Sequence, residues 1–411
     1  MAEHRLLIVN HAVEMGGAER VLLRFLDAMD RDLFEPALAC PHPGPLVEAA
    51  GERGITVHLG FPAPRLLEVR RKSLGGGRLS RLAYPIDTMR TASTLARLVR
   101  AEGYDLVLTN SAKADIYGSL AGRLAGKPVV WRLHDIVDYD AFSRLNVLLF
   151  SGFATLFAAR VLAVSGAVRD ALAARGVREE KIAVVYNGID VKGLASAHNR
   201  DSSRKKLAEE FGIEVGAPLA GLVGRLVDWK GPDRFLSAAA EVARELPEAR
   251  FLLVGDAIFG EASYVDDLKE QALRLGLGGK AVFTGFREDA LEITAGLDAL
   301  VHASLLPDPL PTVLIEAMAL GVPVVGSDAG GVREIIEDGV TGMVVPPGDV
   351  AAMARAMLRL LSDPDGARSM GEAGRERALR AFEIGRQCRL LEGELLAVLG
   401  AQKGKGSRGA T

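Results

Sequence analysis

The sequence predicts an α/β protein made of two doubly wound, Rossmann-like domains that face a central cleft. Two observations support this fold class. Short apolar runs alternate with amphipathic helical patterns through both halves of the 411-residue chain, and such alternation is typical of parallel sheets covered by helices on both faces. One polar and charged stretch, residues 191–217, interrupts the alternation. Because the pattern then starts again, we expect two domains.

The strands are predicted from short apolar runs bounded by turn residues. In the first half they are Arg5–Val9, Pro36–Ala39, Ile55–His58, Asp105–Leu108, Pro128–Trp131, Arg160–Val164 and Ile182–Val185. In the second half they are Leu219–Val223, Arg250–Val254, Ala281–Thr284, Ala299–His302, Pro323–Gly326 and Gly342–Val345. Helical patterns separate them, such as Ala18–Met29, Thr91–Ala101 and Ala112–Ala125.

These patterns set the expected domain boundaries. We expect a first domain at residues 1–187, a linker region at 188–217 and a second domain at 218–382. Residues 383–400 are predicted to form a helix that packs back across the domains. The tail 401–411 is rich in Gly, Lys and Ser and is predicted to be disordered. Since ligands of doubly wound sheets bind beyond the carboxyl ends of the strands, the cleft is the expected active site.

Composition narrows the classes of function. The formal net charge of -3 argues against general nucleic-acid binding, and the two distant cysteines argue against a disulfide framework. The N-terminus lacks the pattern of a signal peptide, and no apolar run is long enough to span a membrane. A cytoplasmic protein is therefore expected.

A location at the inner face of the membrane is the alternative to a free cytoplasmic one. The longest apolar run, Leu145–Ala159, is predicted to be a buried helix, and a membrane-touching helix is the other interpretation. Residues 65–100 contain nine basic and two acidic side chains with apolar residues among them. Such segments can lie on an anionic membrane surface, although a solvated basic face or an acceptor groove would have the same composition.

The most informative motif runs from Pro307 to Pro323. Pro311 suits the first position of a helix, where its missing N–H would be unpaired in any case, and Gly321 suits the helix end. The free amides of Thr312, Val313 and Leu314 would then point out of the helix start and form an anion site suited to phosphate.

Two carboxylates flank that helix start. Glu316 lies one turn deeper on the same face as Thr312, where it can accept hydrogen bonds from the hydroxyls of a ribose. Asp308 lies in the loop before the helix and can accept hydrogen bonds from a sugar. The alternative is that Asp308 caps the helix and that Glu316 is a solvated helix residue.

Three further motifs follow predicted strands. Gly224–Pro232 contains two cations, Arg225 and Lys230, within a loop bounded by glycines that let the backbone approach a ligand. Gly16 and Gly17 lie between the first strand and the first helix, a common nucleotide-side feature. His134 follows a strand of the first domain, where it can bind substrate or move a proton; a loop histidine paired with Asp135 is the alternative.

Taken together, these motifs resemble family-4 glycosyltransferases, a family of retaining enzymes with the GT-B fold, and the resemblance covers nearly the whole chain. That family carries an acid, seven residues, a glutamate, then Ala-x-Ala-x-Gly-x-Pro-Val and Gly-Gly-x-x-Glu. The corresponding residues here are Asp308, Glu316–Val324 and Gly330–Glu334. Further matches are Gly224-Arg225 with Lys230-Gly231, Tyr186–Asp190, Val164-Ser165, Val254–Asp256 and Gly16–Glu19.

The resemblance implies transfer of a sugar from a nucleotide-diphosphate sugar to an acceptor hydroxyl of a sugar, glycan or lipid-linked acceptor, in glycan, polysaccharide or glycolipid biosynthesis. Residues 1–187 would face the acceptor and residues 218–382 would bind the donor. By this resemblance Arg225 and Lys230 would neutralise the donor diphosphate, and Gly16 and Gly17 would lie on its phosphate side. Glu316 would bind the ribose and Asp308 the transferred sugar. His134 would contact the sugar and the acceptor.

Two residues depart from the family pattern. The first acid is Asp308 rather than the commoner Glu, so its reach is one methylene shorter. Pro311 stands where the family usually has a Gly whose N–H helps to bind the donor. That contact must therefore come from Leu310, Thr312 or Val313.

Two other functions are alternatives to a transferase: a sugar-nucleotide epimerase of the same fold and a non-catalytic nucleotide-sugar-binding protein. No metal or other cofactor is expected. Many glycosyltransferases of a different fold hold a metal with an Asp-x-Asp pair, and this chain has two such pairs. Asp363–Asp365 is explained by turn and helix-cap chemistry. Asp138–Asp140 follows His134 in the first half, whereas the cations and amides of the inferred phosphate site lie in the second.

Overall fold

The computed structural model describes residues 2–62, 66, 78–137, 144–257 and 262–408. The chain forms two compact units. One contains Met1–Gly188 together with Ile384–Thr411, and the other contains Ile189–Glu383. The chain therefore leaves the first unit once and returns to it through its last helix.

The first unit is built on seven parallel strands in the order β3-β2-β1-β4-β5-β6-β7. The strands are β1 His4–Val9, β2 Phe34–Cys40, β3 Thr56–Leu59, β4 Leu106–Thr109, β5 Val129–Leu133, β6 Arg160–Ala163 and β7 Ile182–Val184. The helices are α1 Gly17–Ala28, α2 Pro45–Glu52, α3 Arg78–Ala101, α4 Ala112–Ala125, α5 Arg144–Phe157 and α6 Gly166–Ala173.

The second unit is built on six parallel strands in the order β10-β9-β8-β11-β12-β13. The strands are β8 Leu219–Val223, β9 Arg250–Val254, β10 Ala281–Gly285, β11 Ala299–His302, β12 Val324–Ser327 and β13 Met343–Val345. The helices are α7 Val191–Ala197, α8 Arg200–Phe211, α9 Pro232–Glu245, α10 Ala262–Arg274, α11 Ala290–Ala295, α12 Thr312–Ala319, α13 Val332–Ile335, α14 Val350–Ser362 and α15 Pro364–Phe382. The last helix, α16 Ile384–Arg408, belongs to the first unit.

The predicted fold class is confirmed: both sheets are wholly parallel, and helices connect their strands. All thirteen predicted strands are present among the described residues, with ends within two residues of those expected. The predicted helix Ala112–Ala125 has the same ends in the structure. The helix expected at Thr91–Ala101 begins earlier, at Arg78, because Pro85 inside it breaks the periodic pattern from which a helix is predicted.

The polar stretch expected to be a linker region contains two helices, α7 and α8, and belongs to the second unit. Side chains at both helix starts accept hydrogen bonds from amides one turn on: Asp190 from Gly193 and Asn199 from Ser202. Arg204 is 8% exposed, and its guanidinium donates to main-chain carbonyls of the same unit. Polar residues that suggest a linker therefore serve here as caps and as buried donors.

The C-terminal helix packs on α1 in the first unit. Its buried face is apolar, and it adds four residues to the core of that unit: Cys388, Leu391, Leu395 and Leu399. The helix continues through Arg408, where the composition predicted disorder from residue 401, and residues 409–411 lie outside the described residues.

The apolar helix α5 differs from the sequence expectation, because only one of its faces is buried. Val147 and Ala154 are fully buried. On the other face Leu148 is 62% exposed, Leu149 52% and Leu156 76%. Asn146 and Ser151 interrupt the apolar pattern, but the outer face carries Leu148, Leu149 and Leu156 where polar residues would mark solvent exposure.

Candidate active site

Each sheet has one point at which the strand order reverses, and ligands of doubly wound sheets bind at the carboxyl ends of the strands there. In the first sheet this point lies between β1 and β4, and in the second between β8 and β11. Asn10 and Asn110 follow the first pair of strands, and Gly224 and Ala303 follow the second pair. The residues predicted to bind substrate lie near these two edges.

Two glycines allow the loops after β8 and β9 to approach each other. Gly224 has φ +145° and Gly255 has φ +137°, conformations that other residues rarely adopt. A Cβ on Gly255 would lie 1.9 Å from the carbonyl oxygen of Gly224. The Leu226 amide also donates to the carbonyl of Asp256 at 3.0 Å. Main-chain contacts with the loop after β9 therefore fix the position of the loop that carries the two predicted cations.

Arg225 and Lys230 both lie close to one aromatic side chain, Trp229. The guanidinium of Arg225 is 5.8 Å from the indole centroid, and the ammonium of Lys230 is 4.5 Å from it. Both separations lie within the range of cation–π attraction. The structure therefore brings together the two cations predicted from the sequence and gives them a common support.

Lys230 forms an ion pair with Asp308, whose side chain is 12% exposed. His302, at the end of β11, lies behind this pair: its Nε2 is 3.4 Å from Asp308 Oδ2 and 3.0 Å from the hydroxyl of Ser304. Burial alone would raise the pKa of Asp308, but the hydrogen bond from His302 and the charge of Lys230 outweigh it and hold that pKa well below its usual value. Asp308 is therefore ionised. Its side chain does not cap α12, whose N-cap is Pro311.

Gly330 and Gly331 make room for the loop that carries Asp308. Gly330 has φ +68°, and a Cβ there would lie 2.0 Å from the carbonyl oxygen of Asp308. A Cβ on Gly331 would lie 2.4 Å from the carbonyl oxygen of Pro309. The Gly331 amide donates to the carbonyl of Asp308 at 2.9 Å. The paired glycines therefore set the position of the Asp308 carboxylate.

The helix α12 begins at Thr312, so Pro311 is its N-cap rather than its first residue. The Leu314 amide donates to the carbonyl of Pro311 at 3.1 Å, which corrects the expectation that this amide is free. Thr312 and Val313 lie in the first turn, where helix amides have no intrahelical acceptor. Glu316, half-buried, follows one turn later. Leu310 is 4% exposed, so only its main chain is suited to a ligand contact.

In the first unit His134 follows β5, and its Nε2 lies 3.1 Å from Asn110 Oδ1. Its partner is thus Asn110 rather than the adjacent aspartate. Burial, and to a smaller extent the charge of Arg132, lower the pKa of His134 well below its usual value. Gly16 is the N-cap of α1 and Gly17 its first residue, and both are exposed. A neutral imidazole and an open helix start therefore lie in this unit.

Sequence reasoning missed the polar residues that support the predicted ones. Asn10 and Asn110 directly follow a strand and His302 ends one, so polar residues at the end of an apolar strand were the available signal. They are Asn10, Asn110, His302, Ser304, Glu19 and Trp229.

Asp363 caps α15, as the sequence predicted: its carboxylate accepts from the Gly366 amide at 3.0 Å. The other pair, Asp138–Asp140, lies outside the described residues. Within the described ranges no cluster of three or more His, Cys, Asp or Glu residues is arranged to hold a metal ion. Across those same ranges, no helix combines the length and apolar character needed to cross a bilayer.

Comparison with known proteins agrees with this geometry. The family described as Glycosyltransferase Family 4 matches residues 15–192, and the family described as Glycosyl transferases group 1 matches residues 203–377. A galactosyltransferase from Escherichia coli, named UDP-Gal:alpha-D-GlcNAc-diphosphoundecaprenol alpha-1,3-galactosyltransferase, is 27% identical over 85% of this chain and 86% of its own. The 2-deoxystreptamine glucosyltransferase of Streptomyces kanamyceticus is 28% identical over 70% of this chain and 75% of its own.

Among solved structures, Anabaena HepE in complex with UDP superposes with a TM-score of 0.82 at 29% identity, covering 96% of this chain and 100% of that one. HepE in complex with UDP-glucose gives a TM-score of 0.80 at 28% identity, with the same coverage.

Two Rossmann-like units, each with polar residues at its switch point, define a nucleotide-sugar-dependent glycosyltransferase of the GT-B fold. The chain belongs to the family-4 glycosyltransferases. The relatives named above are transferases, and they do not favour the epimerase or the non-catalytic alternative.

Proposed function

We propose that this enzyme transfers a sugar from a UDP-sugar to an acceptor hydroxyl with net retention at the anomeric carbon. The choice of UDP is supported by the relatives: the E. coli enzyme is named for UDP-Gal, and HepE was solved with UDP and UDP-glucose. In the reaction the bond between the anomeric carbon and the diphosphate breaks, and the acceptor oxygen bonds to that carbon. The proton of the acceptor hydroxyl passes to the departing diphosphate, and the nucleoside diphosphate leaves.

The observation that carries this proposal is the pair of cations on the loop after β8, one of them ion-paired with Asp308. Negative charge develops on the departing diphosphate, and fixed cations and helix amides stabilise such charge without reorganising. We assign Arg225 and Lys230 to the diphosphate, together with the amides of Thr312 and Val313. These groups supply the countercharge that a metal ion would supply, so we propose that no metal is required.

Asp308 retains one carboxylate oxygen for the sugar. Among the residues that the structure describes, both of its side-chain contacts, from Lys230 and from His302, are made through Oδ2. We propose that Oδ1 accepts a hydrogen bond from a hydroxyl of the transferred sugar, while Oδ2 positions Lys230. The main-chain amide of Leu310 is assigned to the same sugar, and Glu316 to the ribose of the donor.

In the first unit we assign His134 to the sugar and acceptor side, and the exposed helix start at Gly16 and Gly17 to the phosphate side. We accordingly propose that residues 1–187 bind the acceptor and that residues 218–382 bind the donor. The acceptor is proposed to be a sugar, a glycan or a lipid-linked sugar. The last of these is supported by the diphosphoundecaprenol in the name of the E. coli relative.

Retention is tested on the product. Incubation with UDP-glucose or UDP-galactose and a panel of sugar acceptors should yield a glycoside whose anomeric proton signals have the α configuration of the donor. A β-configured product would refute retention, and isomerised donor in place of a glycoside would favour the epimerase.

We also propose a peripheral contact of the first unit with an anionic membrane. Besides the three exposed leucines of α5, helix α3 exposes Ile86 by 55% and Met89 by 48%, and both helices pack against α4. Exposed apolar side chains next to a basic segment are typical of surfaces that bind anionic lipid. Residues 65–100, which include all of α3 except its last residue, have nine basic and two acidic side chains.

Co-sedimentation with phosphatidylglycerol vesicles tests this surface. We expect binding at low salt, weaker binding at high salt, and loss of binding when Leu148, Leu149 and Leu156 are changed to Ser. Leu273→Ser is the matched control, because that leucine is 68% exposed on α10 of the second unit. No binding by the wild type at low salt, or equal losses in both variants, would contradict the proposal.

A further inference from the structure

A chain of four polar side chains crosses the switch point of the first sheet. It begins at Glu19 on α1, continues through Asn10 after β1 and Asn110 after β4, and ends at His134 after β5. Asn10 Nδ2 lies 3.2 Å from Glu19 Oε1, Asn110 Nδ2 lies 3.5 Å from Asn10 Oδ1, and His134 Nε2 lies 3.1 Å from Asn110 Oδ1. The first three residues are 7%, 0% and 1% exposed, respectively. Water therefore has little access to these polar atoms.

The direction of every hydrogen bond in this chain is set at its Glu19 end. Asn10 Nδ2 faces two groups that can only accept, the Glu19 carboxylate and the carbonyl oxygen of Ala12 at 2.8 Å. The amide nitrogen of Asn10 must therefore point toward them, and its oxygen must point toward Asn110. Asn110 in turn must donate to Asn10 and present its own oxygen to His134.

This order determines which ring nitrogen of His134 carries the proton. An amide oxygen can only accept, so Nε2 of His134 must be the donor to Asn110. In a neutral imidazole the other nitrogen then has a lone pair. Nδ1 of His134 has no partner among the described residues, so this lone pair remains available to a ligand.

We propose that Glu19, Asn10 and Asn110 are positioning residues that hold His134 as the neutral Nε2–H tautomer, so that its Nδ1 accepts a hydrogen bond from a substrate hydroxyl. The inference rests on the proposed assignment of His134 to the substrate side. It adds that this histidine acts as an acceptor rather than as a cation or a proton donor.

The Gly16–Glu19 motif gains a physical reason from this arrangement. A Cβ on Gly16 would lie 2.8 Å from Glu19 Oε2. Gly16 has φ -94°, which any residue can adopt, so its backbone conformation does not require glycine. The missing side chain instead gives the Glu19 carboxylate room to turn back toward Asn10. Gly16 thus serves the chain of hydrogen bonds as well as the phosphate side.

The charged groups around His134 bear on its protonation. Burial disfavours its positive charge, and so, to a smaller extent, does Arg132 on β5. Asp135 follows in the loop, and Asp115 lies on α4 near Asp135. The Glu19 carboxylate is separated from the imidazole by two amide side chains.

Nitrogen-15 NMR of the imidazole groups tests the tautomer directly and needs no substrate. With uniformly labelled full-length protein at pH 7.5, the His134 signals are identified by their absence in His134→Gln, since the chain has seven histidines. We expect a protonated Nε2 and an unprotonated Nδ1. A protonated Nδ1, or an imidazolium, would overturn the proposal.

Three variants test the source of the tautomer. Glu19→Gln keeps an oxygen that can accept from Asn10 and should preserve the spectrum, whereas Glu19→Leu and Asn110→Leu should yield a mixture of tautomers. Asn110→Leu should also lower kcat/KM about 10-fold or more, on the scale of one hydrogen bond. An unchanged His134 spectrum in both leucine variants would refute the claim that the chain of hydrogen bonds from Glu19 to Asn110 sets the tautomer of His134.

We call the chain of hydrogen bonds that sets the tautomer of His134 the relay. The relay and the proposed function can fail separately. If the spectra behave as expected but His134→Gln leaves kcat/KM unchanged, the relay holds and the substrate-side assignment of His134 is refuted. If His134→Gln is inactive but Nδ1 carries the proton in the wild type, the assignment holds and the relay is refuted.

Discussion

Replacement of Lys230 by Met should reduce both catalysis and stability, whereas replacement of Arg225 by Met should reduce catalysis alone. The two cations share one loop and one aromatic support, but their surroundings differ. The side chain of Lys230 is 20% exposed and is ion-paired with Asp308, whose side chain is 12% exposed. Arg225 is exposed. Each residue is therefore a control for the other.

The expected magnitudes follow from burial. Removal of one partner of a buried ion pair leaves an unpaired charge and costs about 3–5 kcal/mol. Because His302 still donates to Asp308, we place Lys230→Met at the lower end of this range. That loss would lower the melting temperature of a unit of this size by about 6–12 °C. Arg225→Met, an exposed change, should alter stability by about 0.5 kcal/mol or less.

Turnover should fall at least ~100-fold in each variant, which is about 2.7 kcal/mol of transition-state stabilisation. The assays are thermal unfolding of the ligand-free protein and steady-state kinetics with the preferred donor. The double variant Lys230→Met with Asp308→Asn should recover most of the lost stability, because no charge is left buried, but none of the turnover. Wild-type stability of Lys230→Met, or near-normal turnover of both single variants, would refute the reasoning.

Three further predictions concern pH, metal ions and a glycine. The pKa of Asp308 is lowered in the folded protein, so its charge contributes stability above the ordinary carboxyl pKa of about 4. The wild type should therefore exceed Asp308→Asn in free energy of unfolding by an amount that shrinks as the pH falls from 7 to 3. A difference that stays constant over this range would contradict the ion pair. Turnover should survive excess EDTA, and loss of activity restored by magnesium or manganese would show that the countercharge comes from a metal. Gly330→Ala should destabilise the protein by about 2 kcal/mol or more and raise the donor KM, because its Cβ would meet the Asp308 carbonyl. Gly339→Ala, with φ +76° and open space around its Cβ, should incur only the conformational cost, and equal effects of the two changes would contradict the steric argument.

The strands could be predicted because each is a short apolar run between turn residues, and buried parallel strands need little else. The linker region could not be recognised as structured from composition. Its two helices depend on contacts distant in sequence, such as Arg204 with the carbonyl of Gly296. The exposed face of α5 could not be recognised for the opposite reason, since it carries the leucines Leu148, Leu149 and Leu156.

At the site, residue types and spacing indicated Arg225, Lys230 and Asp308, because cations after one strand and an acid before a helix are local features. The ion pair between Lys230 and Asp308 was not predictable, since it joins residues 78 positions apart. Nor was the place of His302 behind it, because periodicity assigns that residue to a buried strand without indicating its partner. Local patterns therefore predicted which residues carry charge, and only the fold determines which of them are neutralised.

The most direct test of the central claim is a calorimetric titration of the full-length protein with UDP in buffer containing EDTA. Both cations are assigned to the diphosphate, so we expect UDP to bind the wild type and to bind the Arg225→Met, Lys230→Met double variant at least ~100-fold more weakly, on the scale of charge-assisted contacts. Uridine, which lacks the diphosphate, should distinguish the two proteins little. Equal affinity of both proteins for UDP would contradict the claim that the loop after β8 holds the diphosphate of the donor.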